Sequence, residues 1–293
     1  MTASRHQPAV LDPPPPFARV LTFDLRSGAD ARPALDRLRD WFAPERTVLG
    51  VGLPLVVSLG KSVPGLRAFP ALVGPGASFP STQGAVWAML ASGDGDLQDR
   101  ATGLSAALGD AFVLREEVAT FRHREGRDLS GYVDGTANPV EDLAVKAAIL
   151  SNRGAGLDGG TFCAVQKYVH DLRRFSGLTG DARDHVIGRS LATNDELPDA
   201  PPTAHVKRAE QEAYDPPAFM VRRSMPWGGV DENGLYFVAY GESLDRFERV
   251  LRRMAGVEDG VVDGLLAFTR AVTGSYYFCP PLRDGKLDWS TLR

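Results

Sequence analysis

Strand and helix signals alternate along this chain on both sides of a glycine-rich break, and that order limits the fold more than any single motif. Residues 19–25 place Leu21, Phe23 and Leu25 on one face, the two-residue period of a half-buried strand. Residues 31–42 carry Leu35, Leu38 and Phe42 at helical spacing. The apolar stretch 46–59 predicts one or two strands broken at Pro54, residues 82–91 and 97–108 predict helices, 112–121 a strand and 140–150 a helix. Beyond the break the pattern resumes with a strand at 161–172, a helix at 181–191, and strands at 219–224 and 235–240. Ser243 then caps a helix whose stripe is Leu244, Phe247, Val250, Leu251 and Met254, and residues 261–272 continue helical. The expected fold is α+β, with two halves that each carry an antiparallel sheet packed with helices.

The break falls at residues 152–160, which gives three expected segments: an extended arm over 1–17, containing Pro13 to Pro16, and halves over 18–152 and 153–293. Residues 193–217 form a polar, proline-rich loop of the length that tends to carry function. A net charge of -4 with scattered Lys and Arg argues against a nucleic-acid partner. The longest uncharged apolar run, 48–60, is interrupted by Pro54 and falls short of the roughly 18 residues that suggest a membrane span. With no basic-then-apolar leader, a cytoplasmic protein is expected. Cys163 and Cys279 stand far apart, outside any CxxC or CxxCH pattern, so two reduced, buried thiols are expected.

Several common chemistries drop out. Gly154, Gly156 and Gly159 match GxGxxG, but a helix precedes them and a strand follows, the reverse of a dinucleotide site. No P-loop, HExxH or GxSxG occurs. The five histidines, His6, His123, His170, His185 and His205, include no i, i+4 pair. His205 lies in the long loop; alone it is as ordinary as any surface histidine, although ligation by a single histidine is a habit of haem iron. Arg222 and Arg223 interrupt an apolar strand, so one of them must be buried and needs an anionic or polar partner, which a structural carboxylate could supply. Asp134 sits between Gly131 and Gly135, where an acid either braces a turn or faces a ligand at close range.

Four blocks together carry more than their members. The segment RDLSGYVDGTANP at 127–139 resembles the GxxDG motif of the dye-decolourising peroxidases. AHVKR at 204–208, VRRSMPWG at 221–228 and GLYFVAY at 234–240 follow in that family's order, and the similarity runs from Ala18 to Leu282. The chain resembles the shorter bacterial members, and no cargo-type tail is expected after Asp288. The resemblance implies two ferredoxin-like halves, with non-covalent haem b (iron protoporphyrin IX) held mainly by the C-terminal one. It implies His205 as the iron ligand, Asp134 and Arg222 on the open side of the haem, and Ser224 at a position that shapes water there. Asp263 is the implied acceptor of the other imidazole N–H, Arg189 the implied partner of a haem propionate, and the backbone at Gly135 and Thr136 the implied contact at the haem edge. The implied activity is that of a haem peroxidase, which uses hydrogen peroxide to oxidise small organic electron donors, dyes and phenolics, one electron at a time. A haem carrier with incidental peroxidase activity is the alternative, and a homo-oligomer is expected. Trp227, Tyr236 and Tyr240 read as core packing rather than as an electron route.

Overall fold

The computed structural model describes residues 5–93 and 95–293. Eight strands carry the architecture: β1 (Phe17–Leu25), β2 (Thr47–Val51), β3 (Val86–Ser92), β4 (Phe112–Phe121), β5 (Thr161–His170), β6 (Met225–Gly228), β7 (Asn233–Gly241) and β8 (Ser275–Cys279). All their pairings are antiparallel, and the order β5-β8-β2-β3-β1-β4-β6-β7 returns to β5 through the β7–β5 ladder. The expected pair of sheets is thus one closed ring, which leaves these strands no open edge between them. The N-terminal strands lie together in the order β2-β3-β1-β4, and the C-terminal strands in the order β6-β7-β5-β8. Each seam between the two runs is a single residue pair, Phe278 with Val51 and Thr120 with Trp227.

Alternation along the strands sorts the core into two layers. Val20, Val48, Trp87, Met89, Cys163, Tyr236, Tyr240 and Tyr277 fill the inside of the ring. Their neighbours Leu21, Leu49, Ala88 and Leu90 face outward onto helices Arg32–Trp41 and Leu97–Leu108 through Leu35, Leu38 and Leu104. Inside, the Trp87 indole N–H donates to the Tyr236 hydroxyl at 3.1 Å. Trp227, Tyr236 and Tyr240 are all buried there, in keeping with a packing role. Both cysteines are free and buried. Among the described residues, no helix is long and apolar enough to cross a membrane.

Several elements differ from expectation for identifiable reasons. Residues 82–91 are not helical but lead into β3, whose residues are buried on both faces. A short run buried on both sides has no period to separate strand from helix. After β2, Leu53–Ser58 is a helix with Pro54 in its first turn, so the proline begins an element rather than breaking a strand. The predicted helix 261–272 is a short 3-10 turn, Gly264–Ala267, followed by strand Thr269–Ala271, which pairs with the last residues of β5 beyond the reach of β8. Of 219–224 only Val221–Arg222 is paired, with Tyr240 and Ala239 of β7. Strands β6 and β8 lay outside the expected elements.

Candidate active site

The acid loop is closed on itself before it meets anything else. Arg127 and Val133 form an antiparallel bridge, the Arg127 guanidinium donates to Gly131 O at 2.8 Å, and Asp134 N donates to Gly126 O at 3.1 Å. Gly131 and Gly135 both have φ in the left-handed region, at 96° and 77°. A Cβ on Gly135 would also come within 2.9 Å of Asn138 Nδ2. Gly135→Ala is therefore expected to lower stability by about 1–2 kcal/mol, read as a reduced unfolding midpoint in urea.

Asn138 joins this loop to the arginine. Its Oδ1 accepts from Arg222 N at 2.9 Å and its Nδ2 donates to Arg222 O at 3.1 Å, an amide clamp on one backbone unit. Beyond Arg222 the same register with β7 runs on into β6, with Arg223 N donating to Val238 O at 2.8 Å. The Arg223 side chain turns to the other face, its guanidinium donating to Asp12 O and Leu11 O. Successive side chains of an extended strand point to opposite faces. Arg222 lines the cavity described below, whereas the Ser224 hydroxyl is buried without a partner and belongs to neither wall. Asn138→Ala frees the loop from the strand and is expected to cost about 1–3 kcal/mol of stability through two unpaired backbone groups, checked by chemical unfolding.

His205 opens the short helix His205–Arg208. That helix is held by the Arg208 guanidinium, which grips both oxygens of Asp259 at 2.7 and 2.8 Å and donates to Arg253 O at 2.6 Å. His205 Nδ1 lies 2.8 Å from Oδ2 of Asp263, whose side chain is fully buried. Asp263 Oδ1 caps the following 3-10 turn by accepting from Leu265 N, and Gly264 N donates to Thr203 O at 2.7 Å. The carboxylate is thus fixed on its own backbone and the ring on the carboxylate. Asp263 accepts the Nδ1 proton, so the neutral ring offers its lone pair at Nε2.

These elements converge. A cavity of about 960 Å³ is lined by Asp134, His205 and Arg222 on its polar side and by Phe237, Phe247, Leu251 and Met254 among its apolar walls. A second, of about 870 Å³, shares Asp134, His205 and Arg222 and adds Gly135, Thr136 and Arg189. Burial pushes the Asp134 carboxyl above the usual carboxylate range; Arg222 pulls it back and Asp128 pushes it further. Burial lowers Arg222, opposed by Asp134, yet a guanidinium stays charged. Burial also pulls the His205 ring down, but Asp263 outweighs it and holds the imidazole above its ordinary value.

Known proteins resemble this chain over most of its length. Residues 125–284 match the family described as Dyp-type peroxidase, C-terminal. The dye-decolorizing peroxidase of Brevibacterium linens is 32% identical over 292 residues, covering 92% of this chain and 79% of that protein. The chain belongs to the dye-decolorizing peroxidase family. The family's protein from Mycobacterium tuberculosis is 34% identical over 224 residues, 74% of this chain and 67% of that one. A DypB variant from Rhodococcus jostii RHA1, solved in complex with heme, superposes with a TM-score of 0.84 at 30% identity, covering 93% of this chain and 95% of that one.

As a dye-decolorizing peroxidase the protein is a haem enzyme, and its residues fit non-covalent haem b. One imidazole with a fixed free nitrogen stands in a largely apolar cleft that a few polar groups enter, the character of a cofactor site. Arg222 Nε and Gln166 Nε2 are buried at that cavity without any protein partner. The expected Asp134, His205, Arg222, Gly135, Thr136 and Arg189 come together, with Asp263 behind the histidine. Arg189 is partly engaged already, donating to Asn194 O at 3.0 Å and lying 3.5 Å from Glu196. Sequence reasoning overlooked Asn138, although it closes the same motif, and also Asp128 and His170, which share the cavity wall. The position of Asp128 six residues before Asp134 was the available signal.

Proposed function

We propose that His205 holds the iron of haem b through Nε2, with Asp134 and Arg222 across the cavity, and that the protein uses hydrogen peroxide to oxidise dyes and phenolics. The observation that carries this reading is the His205–Asp263 pair opening on the same cavity as Asp134 and Arg222. The haem, when bound, supplies the iron that takes peroxide and stores its two oxidising equivalents. Cleaving the O–O bond to release water requires one proton to move between the two peroxide oxygens. Asp134 is suited to carry it, because burial has brought its proton affinity closer to neutrality. Arg222 stabilises the charge on the departing oxygen from within a poorly solvated pocket. Asp263 makes the ligating ring more electron-donating. Arg189 would meet a propionate, backbone at Gly135 and Thr136 the haem edge, and Ser224 a water near Arg222.

The two four-stranded runs are read as ferredoxin-like halves, supported by their equivalent strand orders, with bounds near 18–152 and 153–293 behind an N-terminal arm. A homo-oligomer is proposed as the working form, and light scattering on the purified protein checks it. Turnover tests the function. With haem and peroxide, the wild type should bleach an anthraquinone dye or oxidise a phenol for many cycles per haem, whereas a single stoichiometric event would reduce it to a haem carrier.

The raised His205 value has a consequence for haem uptake. A proton on the ring competes with iron, so uptake by haem-free protein should be full above that value. As pH falls through it, affinity should drop by about tenfold per unit. Soret titrations at several pH values check this.

A further inference from the structure

Two residues of the cavity wall have no part in the reading above. His170 ends β5 with 4% of its side chain exposed, and Asp128 opens the acid loop with 16% exposed. His170 Nε2 lies 3.1 Å from Asp128 Oδ1, and its Nδ1 lies 2.7 Å from Thr269 Oγ1. Thr269 stands directly across the ladder from His170, and its hydroxyl also lies 3.2 Å from Val169 O. Asp128 Oδ2 accepts from Ser130 N at 2.7 Å.

The Thr269 hydroxyl has one proton and two places to direct it. When the ring is neutral, the hydroxyl donates to Nδ1 and Nε2–H donates to Asp128. When the ring is an imidazolium, Nδ1–H donates to Thr269 Oγ1 and the hydroxyl turns to Val169 O. Each ring nitrogen keeps a partner in both states, so His170 can take or release a proton without stranding a buried polar group.

A peroxidase has a use for such a site. Reducing one hydrogen peroxide to two waters consumes two electrons and two protons. A phenol inside the cavity brings both, but a donor that passes only electrons leaves the protons to the protein. We propose that Asp128, His170 and Thr269 form a proton-loading site that supplies the cavity through Asp134. This rests on the haem peroxidase reading.

The two acids share one closed loop and one cavity. Burial raises Asp128, but its bonds from His170 and Ser130 outweigh that and keep it an anion, whose charge in turn raises Asp134. A proton arriving on His170 neutralises the pair, and Asp134 then holds its own proton less tightly. Arrival at one group thus favours delivery from the other. The remaining charged or titratable groups facing the cavity are Arg222, His205 with Asp263 behind it, and the phenols Tyr132 and Tyr168, both kept protonated by burial. Asp171, next in the chain, caps helix Leu172–Ser176 instead.

The test compares two reductants in stopped-flow after holoenzyme has met one equivalent of peroxide. Ferrocyanide delivers electrons alone; hydroquinone delivers hydrogen. His170→Gln and Thr269→Val should each slow the ferrocyanide phase by about tenfold or more and flatten its pH profile, while hydroquinone changes by less than about twofold. Thr269→Ser should restore the wild-type rate. In the haem-free full chain carrying nitrogen-15 histidine, the His170 ring nitrogens should convert from neutral to imidazolium on acidification. Equal slowing with both reductants, no slowing with ferrocyanide, or a ring that never changes protonation state while the chain stays folded would each overturn the proposal. A wild type inert to peroxide would instead sink the parent reading, and the nitrogen spectra would still report on the triad.

Discussion

Arg222→Ala should lower the bimolecular rate with hydrogen peroxide by about 100- to 1,000-fold, the usual loss when one charge-stabilising donor leaves a buried site. The backbone at 222 is clamped by Asn138 whatever side chain stands there, so the loop and strand should survive the change. Arg222→Lys retains a charge but loses the planar fork, and should recover only part of the rate. Asp134→Asn removes the proposed proton carrier while leaving Arg222 in place, with an expected loss of about 100-fold or more. The two groups share one cavity and, in the proposed mechanism, one peroxide, so the double variant should fall well short of the product of the single effects. Stopped-flow absorbance at several peroxide concentrations measures all four. Wild-type rates in both single variants would remove them from the open side of the haem.

Asp263→Asn should weaken haem affinity by about 10- to 100-fold. The asparagine can still cap Leu265 N, which keeps the turn and isolates the electronic effect on His205. What it loses is a buried negative charge 2.8 Å from Nδ1, the feature that fixes the tautomer and would feed electron density to Nε2 as the proposed ligand. The same variant should raise the iron reduction potential, which spectroelectrochemistry reads independently of turnover. It should also bring the His205 ring back down, because burial and Arg222 would then be opposed only by Asp134, the smallest of these influences. Haem uptake in this variant should accordingly hold to lower pH than in the wild type, even as the overall affinity declines.

The site was more legible in the sequence than the sheet that carries it. Asp134, His205 and Arg222 stood out through the four blocks that resemble the family; read singly, a glycine-framed acid, a loop histidine and an arginine in an apolar strand each have an ordinary explanation. Their meeting in one cavity could not be read from spacing, since it depends on the Asn138 clamp and on the Thr203–Gly264 bond that brings Asp263 beneath His205. Helices with one wet face, such as Leu244–Met254 with its Ser243 cap, followed from periodicity. Strand β3 did not, because Trp87 and Met89 point into the ring while Ala88 and Leu90 meet helices, leaving no polar face to mark the period. Ring closure was equally hidden. It rests on two single-pair seams between strands far apart in the chain, which carry no local signal.

The central claim is that one imidazole, oriented by a buried acid, binds the iron opposite Asp134 and Arg222. A haem titration of wild type and His205→Ala, followed by one equivalent of peroxide, tests it most directly. The wild type should bind one haem per chain and change its Soret spectrum on adding peroxide. His205→Ala should lose tight binding and that response, with free imidazole restoring part of both. A His205→Ala protein that binds haem and answers peroxide like the wild type would contradict the account.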